Sequence, residues 1–239
     1  MKELINKIVS VVVLMFLLSS CHRPPKGYKE GDYDRAFMNY LSMRKIEFTE
    51  LNNSLYSKYY IDFMRYERKE LLLKNPFLKF NQVYVHQTNN IIRYFVFTDI
   101  GYVYAAETDR DKSAFVSESF EGRIKVKKPF PLLLYGFYEL EDRTVRISRN
   151  EVQRYGELNQ CDVGIMQNDT ITLTAYYNTK KFGYKKKWLA KTHKTNFKLV
   201  YQPNLTATPI KHDFWGKTFR IEGDFNDERV VEEEKMFFH

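Results

Sequence analysis

A series of short segments after Pro76, in which apolar and polar residues alternate, constrains the fold more than any other feature of the sequence. Side chains that alternate along a strand separate onto its two faces, so one face can pack in a core while the other meets water. Val145 and Ile147 alternate with Arg146 and Ser148 in this way. Eight strands are predicted: NQVYVHQ (81–87), IIRYFVFT (91–98), GYVYAAE (101–107), PLLLYGFYEL (131–140), RTVRISR (143–149), CDVGIMQ (161–167), TITLTAYY (170–177) and NFKLVYQ (196–202).

Most of the gaps between these segments are short and turn-like, such as "TNN", "DI", "ED" and "ND". Such gaps favour hairpins, and therefore an antiparallel meander. Eight strands in simple order can close into a barrel, which removes the exposed edges of an open sheet. We therefore expect a β-barrel-like domain over residues 78–225. The long region 108–130 interrupts the series and is interpreted as an insertion, an extra pair of strands or a lid.

A helical segment is predicted before the strands, over residues 33–75. Apolar residues recur there at three- or four-residue spacing, which is typical of an amphipathic helix, and Asn75-Pro76 would end it. The pattern fits one or two helices, although "SKYYIDFMRY" also fits a strand. The fold class we expect is mainly β, with an N-terminal helical segment.

The N-terminus has the features of a secretory leader. Lys2 and Lys7 precede an apolar run from Ile8 to Leu18, which is too short to cross about 30 Å of hydrocarbon. The run ends in "LSSC", which resembles the lipobox of bacterial lipoproteins. The resemblance implies that residues 1–20 are a signal peptide and that Cys21 carries a diacylglycerol, with an amino terminus that is acylated, for example with palmitate. The alternative is an ordinary secretory leader in which Cys21 is a plain thiol.

Residues 21–32 would then form the lipidated anchor and a charged, proline-containing tether. Two or more acyl chains hold a protein to a membrane far more firmly than one, so Cys21 would place the protein in the bacterial cell envelope. His22 follows the cysteine, where an aspartate would argue for inner-membrane retention, so the outer membrane is the expected site. Residues 226–239, with the run Glu232–Glu234, are interpreted as an acidic tail.

The strand region itself resembles the small lipocalin-like lipoproteins of Bacteroidetes-type bacteria. The resemblance covers residues 78–202 and rests on "KFNQVYVHQTNNIIRYFVFTDIGYVYAAE", "YGFYELEDRTVRIS" and "VGIMQNDTITLTAYY". It departs from the pattern at Asp99-Ile100-Gly101, where Asp-Gly is expected, and over residues 108–130. It implies a lipocalin-like barrel. We expect a non-enzymatic binding function, because barrels of this size can hold one small apolar ligand, although they can also simply fill with side chains.

No enzymatic signature is present. The sequence has no G-x-S-x-G elbow, no glycine-rich phosphate loop and no H-E-x-x-H, and its histidines are scattered. We therefore expect no catalytic residues, no cofactor and no metal site. His86 is interpreted as a structural strand residue, although it could face a barrel interior. Cys161 is expected to be a small buried hydrophobe, because no histidine or basic cluster adjoins it.

The most strongly charged segment is "YYNTKKFGYKKKWLAKTHK", residues 176–194. In an exported lipoprotein such a segment points away from nucleic acid and towards anionic lipid, lipopolysaccharide or acidic glycan, all of which a local positive field attracts. A solvated hairpin with no partner is the alternative. The candidate contact residues are Lys180, Lys181, Lys185, Lys186, Lys187 and Trp188.

Two further functional classes stay open. The chain could be a structural or accessory subunit of an envelope complex, with a protein partner and no ligand of its own. It could also be a hydrolase, because a fold alone never excludes an active site.

Overall fold

The computed structural model describes residues 31–110, 114–153, 156–179, 187, 191–212 and 216–228. The chain divides into two compact units, residues 1–64 and 65–239. Leader, Cys21 and most of the tether lie outside the described residues.

The described residues form two helices, α1 (Asp32–Met43) and α2 (Asn53–Leu73). In α1 the buried residues are spaced as on one helix face: Tyr33, Phe37, Tyr40 and Leu41. Two local features favour the helix starts. Asp32 and Asp34 lie in the first turn of α1, where negative charge is favourable, and the Asn52 side chain accepts a hydrogen bond from the Leu55 amide at the start of α2.

The first unit is held together by aromatic side chains. The Phe37 ring stacks on Tyr56 at 4.6 Å between ring centres and packs edge-on against Phe63 at 5.1 Å. The Tyr56 hydroxyl donates a 2.6 Å hydrogen bond to Asp34 Oδ1. Burial, that hydrogen bond and the nearby negative charge all raise the pKa of Tyr56, so this hydroxyl keeps its proton.

The second unit contains an antiparallel eight-stranded barrel. Its strands are β1 (Val83–Gln87), β2 (Ile91–Phe97), β3 (Tyr102–Asp109), β5 (Phe130–Glu141), β6 (Thr144–Gln153), β7 (Gly156–Gln167), β8 (Thr170–Thr179) and β9 (His193–Tyr201). They pair in the order β5-β3-β2-β1-β9-β8-β7-β6, and β6 pairs with β5 to close the ring. The predicted meander is confirmed, and its eight segments are the eight barrel strands.

The barrel interior is filled over much of its length by large apolar side chains, supplied by all eight strands. Tyr84, Phe97 and Tyr138 meet edge to face, with ring centres 5.7 and 5.3 Å apart, and each is at most 2% exposed. The inward residues read from the alternation lie in this cluster: Val145, Ile147, Ile171, Leu173, Phe197 and Leu199. Burial raises the pKa of Tyr84 to about 12, so this interior phenol stays neutral.

Three further strands were not predicted: β4 (Arg123–Lys125), β10 (Leu205–His212) and β11 (Gly216–Asn226). β11 pairs with β10, with β4 and with the first residues of β5. A second apolar cluster joins them to the outer faces of β1 and β2: Val83, Val85, Ile92, Tyr94 and Val96 belong to it together with Ile124, Leu205, Phe219, Ile221 and Phe225. β1 and β2 are thus buried on both faces. The region 108–130 contributes β4 and the buried Val116 and Val126 to this second layer.

One end of the barrel interior is covered by the end of α2. Leu72 and Leu78 belong to the interior cluster. Arg68 Nη2 donates a 2.7 Å hydrogen bond to the Tyr138 carbonyl, and a Cβ at Gly101, where φ is +88°, would meet the Arg68 guanidinium at 2.2 Å. A Cβ at position 101 would displace that guanidinium, and the left-handed backbone conformation is what favours glycine there.

Candidate functional site

The opposite part of the barrel interior is lined by polar side chains. His86 follows Tyr84 by two residues in β1, Arg93 precedes Phe95 by two in β2, and Arg149 follows Ile147 by two in β6. Since residues two apart on a strand share a face, these side chains point inward as the apolar cluster does. The polar layer consists of His86, Arg93, Glu107, Arg149, Gln160 and Asp162.

The layer is assembled by strand register. His86 lies opposite Arg93, and Arg93 lies opposite Glu107, so three adjacent strands place these residues in one row. On the far wall Arg149 lies opposite Gln160, and Asp162 lies opposite Ile147. Residues that are far apart in the sequence therefore form one level of the barrel.

Two ion pairs define the electrostatics of the polar layer. Arg93 Nε donates a 2.6 Å hydrogen bond to Glu107 Oε2, and Arg149 Nε lies 3.7 Å from Asp162 Oδ2. Asp162 Oδ1 also accepts a 2.7 Å hydrogen bond from Gln160 Nε2. Two arginines and two carboxylates balance each other, so the local net charge of these four groups is zero.

A row of three aromatic rings lies next to the two arginines. Phe95 packs edge-on against Tyr135 at 5.4 Å and against Phe197 at 6.1 Å. The Arg93 guanidinium carbon is 5.5 Å from the centre of the Phe197 ring, and that of Arg149 is 5.1 Å from the Tyr135 ring. Each arginine thus gains a cation–π contact as well as its carboxylate.

His86 is the only histidine that the described residues place in this layer. It is 1% exposed, its ring stacks on Phe197 at 3.6 Å, and its Nδ1 lies 2.9 Å from the Lys198 carbonyl oxygen. Burial, opposed by that hydrogen bond and assisted by the charge of Arg93, lowers the pKa of His86 to about 4. The imidazole is therefore neutral near pH 7 and donates from Nδ1.

Of the residues predicted from the sequence as contact sites, the structure describes Lys187 alone. Lys180, Lys181, Lys185, Lys186 and Trp188, like the lipidation residue Cys21, fall outside the described residues. Lys187 is exposed, as are Lys191 and Lys194. The basic segment joins β8 to β9, two paired strands. The structure therefore does not bring the predicted lysines and the polar layer together in any contact that it describes.

Cys161 is buried, as the sequence predicted, with its Sγ 2.9 Å from Ser148 Oγ.

Within the described ranges, no group of three or more His, Cys, Asp or Glu side chains could hold a metal ion. Over the same part of the chain, no helix is both long and apolar enough to cross a membrane.

Sequence reasoning missed the polar layer because its members come from five different strands and are far apart in the sequence. One signal was present: Arg93 is the single charged residue in the segment "IIRYFVF", whose remaining six residues are all hydrophobic. An arginine in a strand buried on both faces needs a partner, so Arg93 could have been recognised from the sequence as a candidate site residue.

Comparison with protein-family models, with curated protein sequences and with solved structures finds no match to the chain.

Proposed function

We propose that this protein is a lipid-anchored lipoprotein of the bacterial cell envelope, of non-enzymatic binding type, which holds a small ligand at the polar layer of its barrel. The lipobox-like "LSSC" supports the anchor at Cys21, with the outer membrane as its site. Closure of eight strands into one barrel supports the binding function, because barrels of this size can hold one small ligand.

The observation that carries the proposal is the burial of Arg93 and Arg149 inside the barrel, at 9% and 6% exposure. Buried ion pairs contribute little to stability, since apolar side chains of similar size stabilise a core as well or better. The same strands supply such apolar side chains in the other half of the interior. The charged residues of the polar layer are thus better explained by recognition of a ligand than by a contribution to stability.

The geometry also favours one position for the ligand. The polar layer reaches solvent through Glu107, whose side chain is 39% exposed, whereas apolar interior residues such as Phe97 and Val145 are 0% exposed. The polar layer also offers hydrogen-bond donors, acceptors and aromatic rings. We therefore place the ligand there rather than among the apolar side chains.

Native mass spectrometry of the mature protein, purified from its own host, tests this proposal. We expect a retained small molecule that is lost in the variant Arg149→Gln. Arg146→Gln is the matched control, since Arg146 pairs with the exposed Glu141 outside the polar layer. A wild-type protein that carries no ligand, together with capture of an envelope protein in equal amount, would favour the structural-subunit class instead.

A second candidate function is contact with an anionic envelope surface through the basic segment. The exposure of Lys187, Lys191 and Lys194 favours it. Replacing Lys185, Lys186 and Lys187 with glutamine should weaken binding to vesicles that contain anionic lipid. The matched control replaces three exposed lysines of the second layer, Lys125, Lys127 and Lys128, with the same loss of charge. Equal weakening by both triple variants would show that only net charge matters.

A further inference from the structure

A cavity of about 530 Å³ lies in the second unit, between the end of α2, the residues that follow it and the hairpin that joins β5 to β6. This volume is within the range of small-molecule sites, about 300–1,000 Å³. The apolar part of its lining includes Leu71, Leu72 and Leu140. Leu72 belongs to the barrel's apolar cluster, but Leu71 is 69% exposed. The cavity therefore offers apolar surface that the described residues leave uncovered.

A half-buried arginine, Arg68, lines the same cavity. Its Nη2 atom donates to the main-chain carbonyl oxygens of Tyr138 and Gly101, at 2.7 and 3.4 Å. Among the described residues Arg68 has no carboxylate partner, in contrast to Arg93 and Arg110, which each pair with an acidic side chain. Neutral carbonyl groups fix the guanidinium in place but do not cancel its charge. Arg68 therefore holds a fixed positive charge beside apolar surface.

We propose that this cavity binds a small amphipathic carboxylate, whose acid group pairs with the Arg68 guanidinium and whose apolar chain lies along Leu71 and Leu140. The site is separate from the polar layer, so the inference goes beyond the proposed function and does not depend on it. Within the described residues, the hydrogen bonds of Arg68 use Nη2 alone, which leaves other donors of the same guanidinium for a ligand. Hydrogen bonds between arginine and carboxylate are among the strong ones.

The other charged groups of the lining favour a ligand with a single charge. Lys74 is an exposed cation, and Glu139 and Asp142 are exposed carboxylates. Together with Arg68 these groups have no net charge, so the cavity has no strong field for a multiply charged anion. A single carboxylate can pair with Arg68, while its chain contributes in proportion to the apolar area that it buries. The cavity therefore favours an amphiphile over a small inorganic anion.

Octanoate is a suitable probe, with octanol as the analogue that lacks the charge and acetate as the analogue that lacks the chain. Calorimetry on the mature protein measures the three affinities, and the NMR signals of the Leu71 methyl groups report where each probe binds. We expect octanoate to bind at least about tenfold more tightly than either analogue, because only octanoate makes both kinds of contact.

Leu71→Ala shortens the apolar wall and should weaken octanoate binding about fivefold. Because Leu71 is mostly exposed, the fold should tolerate this change, and the loss of affinity then belongs to the cavity. Leu73→Ala is the matched control. Leu73 is 50% exposed and lies on the same helix, but it does not line the cavity, so octanoate affinity should stay unchanged.

Arg68→Gln should weaken octanoate binding at least about tenfold and leave the weaker octanol binding unchanged. Arg65→Gln removes the same charge three residues earlier in α2, from an exposed side chain outside the lining, and should have little effect. Asp142→Asn removes a repelling carboxylate from the lining, so we expect octanoate to bind about twofold more tightly. Thermal unfolding of each variant verifies that it is folded.

Failure of wild type to bind octanoate would overturn the inference, as would equal affinities for octanoate and octanol. Equal effects of Leu71→Ala and Leu73→Ala, or of Arg68→Gln and Arg65→Gln, would overturn it as well. Arg149→Gln changes only the polar layer and should leave octanoate binding intact. Loss of octanoate binding in that variant would place the probe in the polar layer, against this inference and in favour of the proposed function. A protein that binds octanoate at Arg68 but retains no ligand from its host speaks against the proposed function alone.

Discussion

A single residue in the barrel interior, His86, makes the stability of the fold depend on pH. In the folded protein the pKa of His86 is lowered to about 4, whereas histidine in an unfolded chain has a pKa near 6.5. Below pH 6.5 the unfolded state therefore binds a proton that the folded state excludes. Stability from this group is complete above pH 6.5 and is lost as the pH falls towards 4.

We expect His86→Gln to reduce the loss of stability between pH 7 and 4. Integrated over the shift, the wild-type histidine accounts for about 3 kcal/mol of that loss, and glutamine can still donate to the Lys198 carbonyl without titrating. Urea unfolding at a series of pH values measures it. His193→Gln, at an exposed position of β9, controls for the loss of a histidine. Parallel pH profiles for wild type and His86→Gln would contradict the argument.

At the scale of elements, the barrel strands were predictable because their side chains alternate and their turns are short. β10 was missed because Pro209 stands inside "LTATPIKH", and proline within a segment argues against a strand. The structure resolves the conflict: within the described residues, β10 is the last strand on its side of the sheet and pairs with β11 alone, and an edge strand tolerates proline. β11 was missed because Gly223 interrupts "GKTFRIEGDFN".

The candidate site was predictable in part only. The sequence shows that His86 and Arg93 belong to strands, but their proximity to each other and to Glu107 depends on register, which the hydrophobic pattern alone does not fix across three strands. Arg149 and Asp162 meet only because β6 pairs with β7 in one alignment. Sequence clusters such as the lysines of residues 180–187 are easier to recognise, because their members are neighbours in the chain.

The end of α2 permits a sharp test of what this helix contributes to the second unit. Leu72 is 5% exposed and belongs to the interior cluster, while its neighbour Leu71 is 69% exposed. We expect Leu72→Ala to lower the free energy of unfolding by about 2–4 kcal/mol and Leu71→Ala to change it by less than about 0.5 kcal/mol. Chemical denaturation measures both. Equal effects of the two substitutions would show that the helix end does not cover the barrel.

At the scale of the whole second unit, the C-terminal strand is fastened to the barrel by a buried arginine. Arg110 Nη1 donates to Asp227 Oδ1 at 2.6 Å, Nη2 donates to Gln87 Oε1 at 2.8 Å, and Nε donates to the Thr88 carbonyl at 3.0 Å. The Arg110 and Asp227 side chains are 4% and 8% exposed. Of the segment interpreted as an acidic tail, the structure describes residues 226–228: Asn226 ends β11, and Arg110 holds the Asp227 side chain.

Asp227→Asn should destabilise the protein by about 3–5 kcal/mol, because it leaves the buried charge of Arg110 without its ion partner. Asp224→Asn removes the same charge three residues earlier, from an ion pair with Arg123 in which both side chains are more than 40% exposed. We expect that control to cost less than about 1 kcal/mol. Thermal unfolding in low salt compares the two variants, and similar losses would argue against a fastening role for Arg110.

Closure of the ring has a consequence for the order in which the chain acquires its structure. β1 meets β9 through only two residue pairs, Tyr84 with Tyr201 and Val85 with Val200, although these residues are far apart in the chain. Hairpins such as β1–β2 can form as soon as they are synthesised, but the second edge of β1 has no partner until β9 follows. Until β9 has been synthesised, that open edge would be a site for mispairing with other chains, so the last barrel strand sets the end of the vulnerable period.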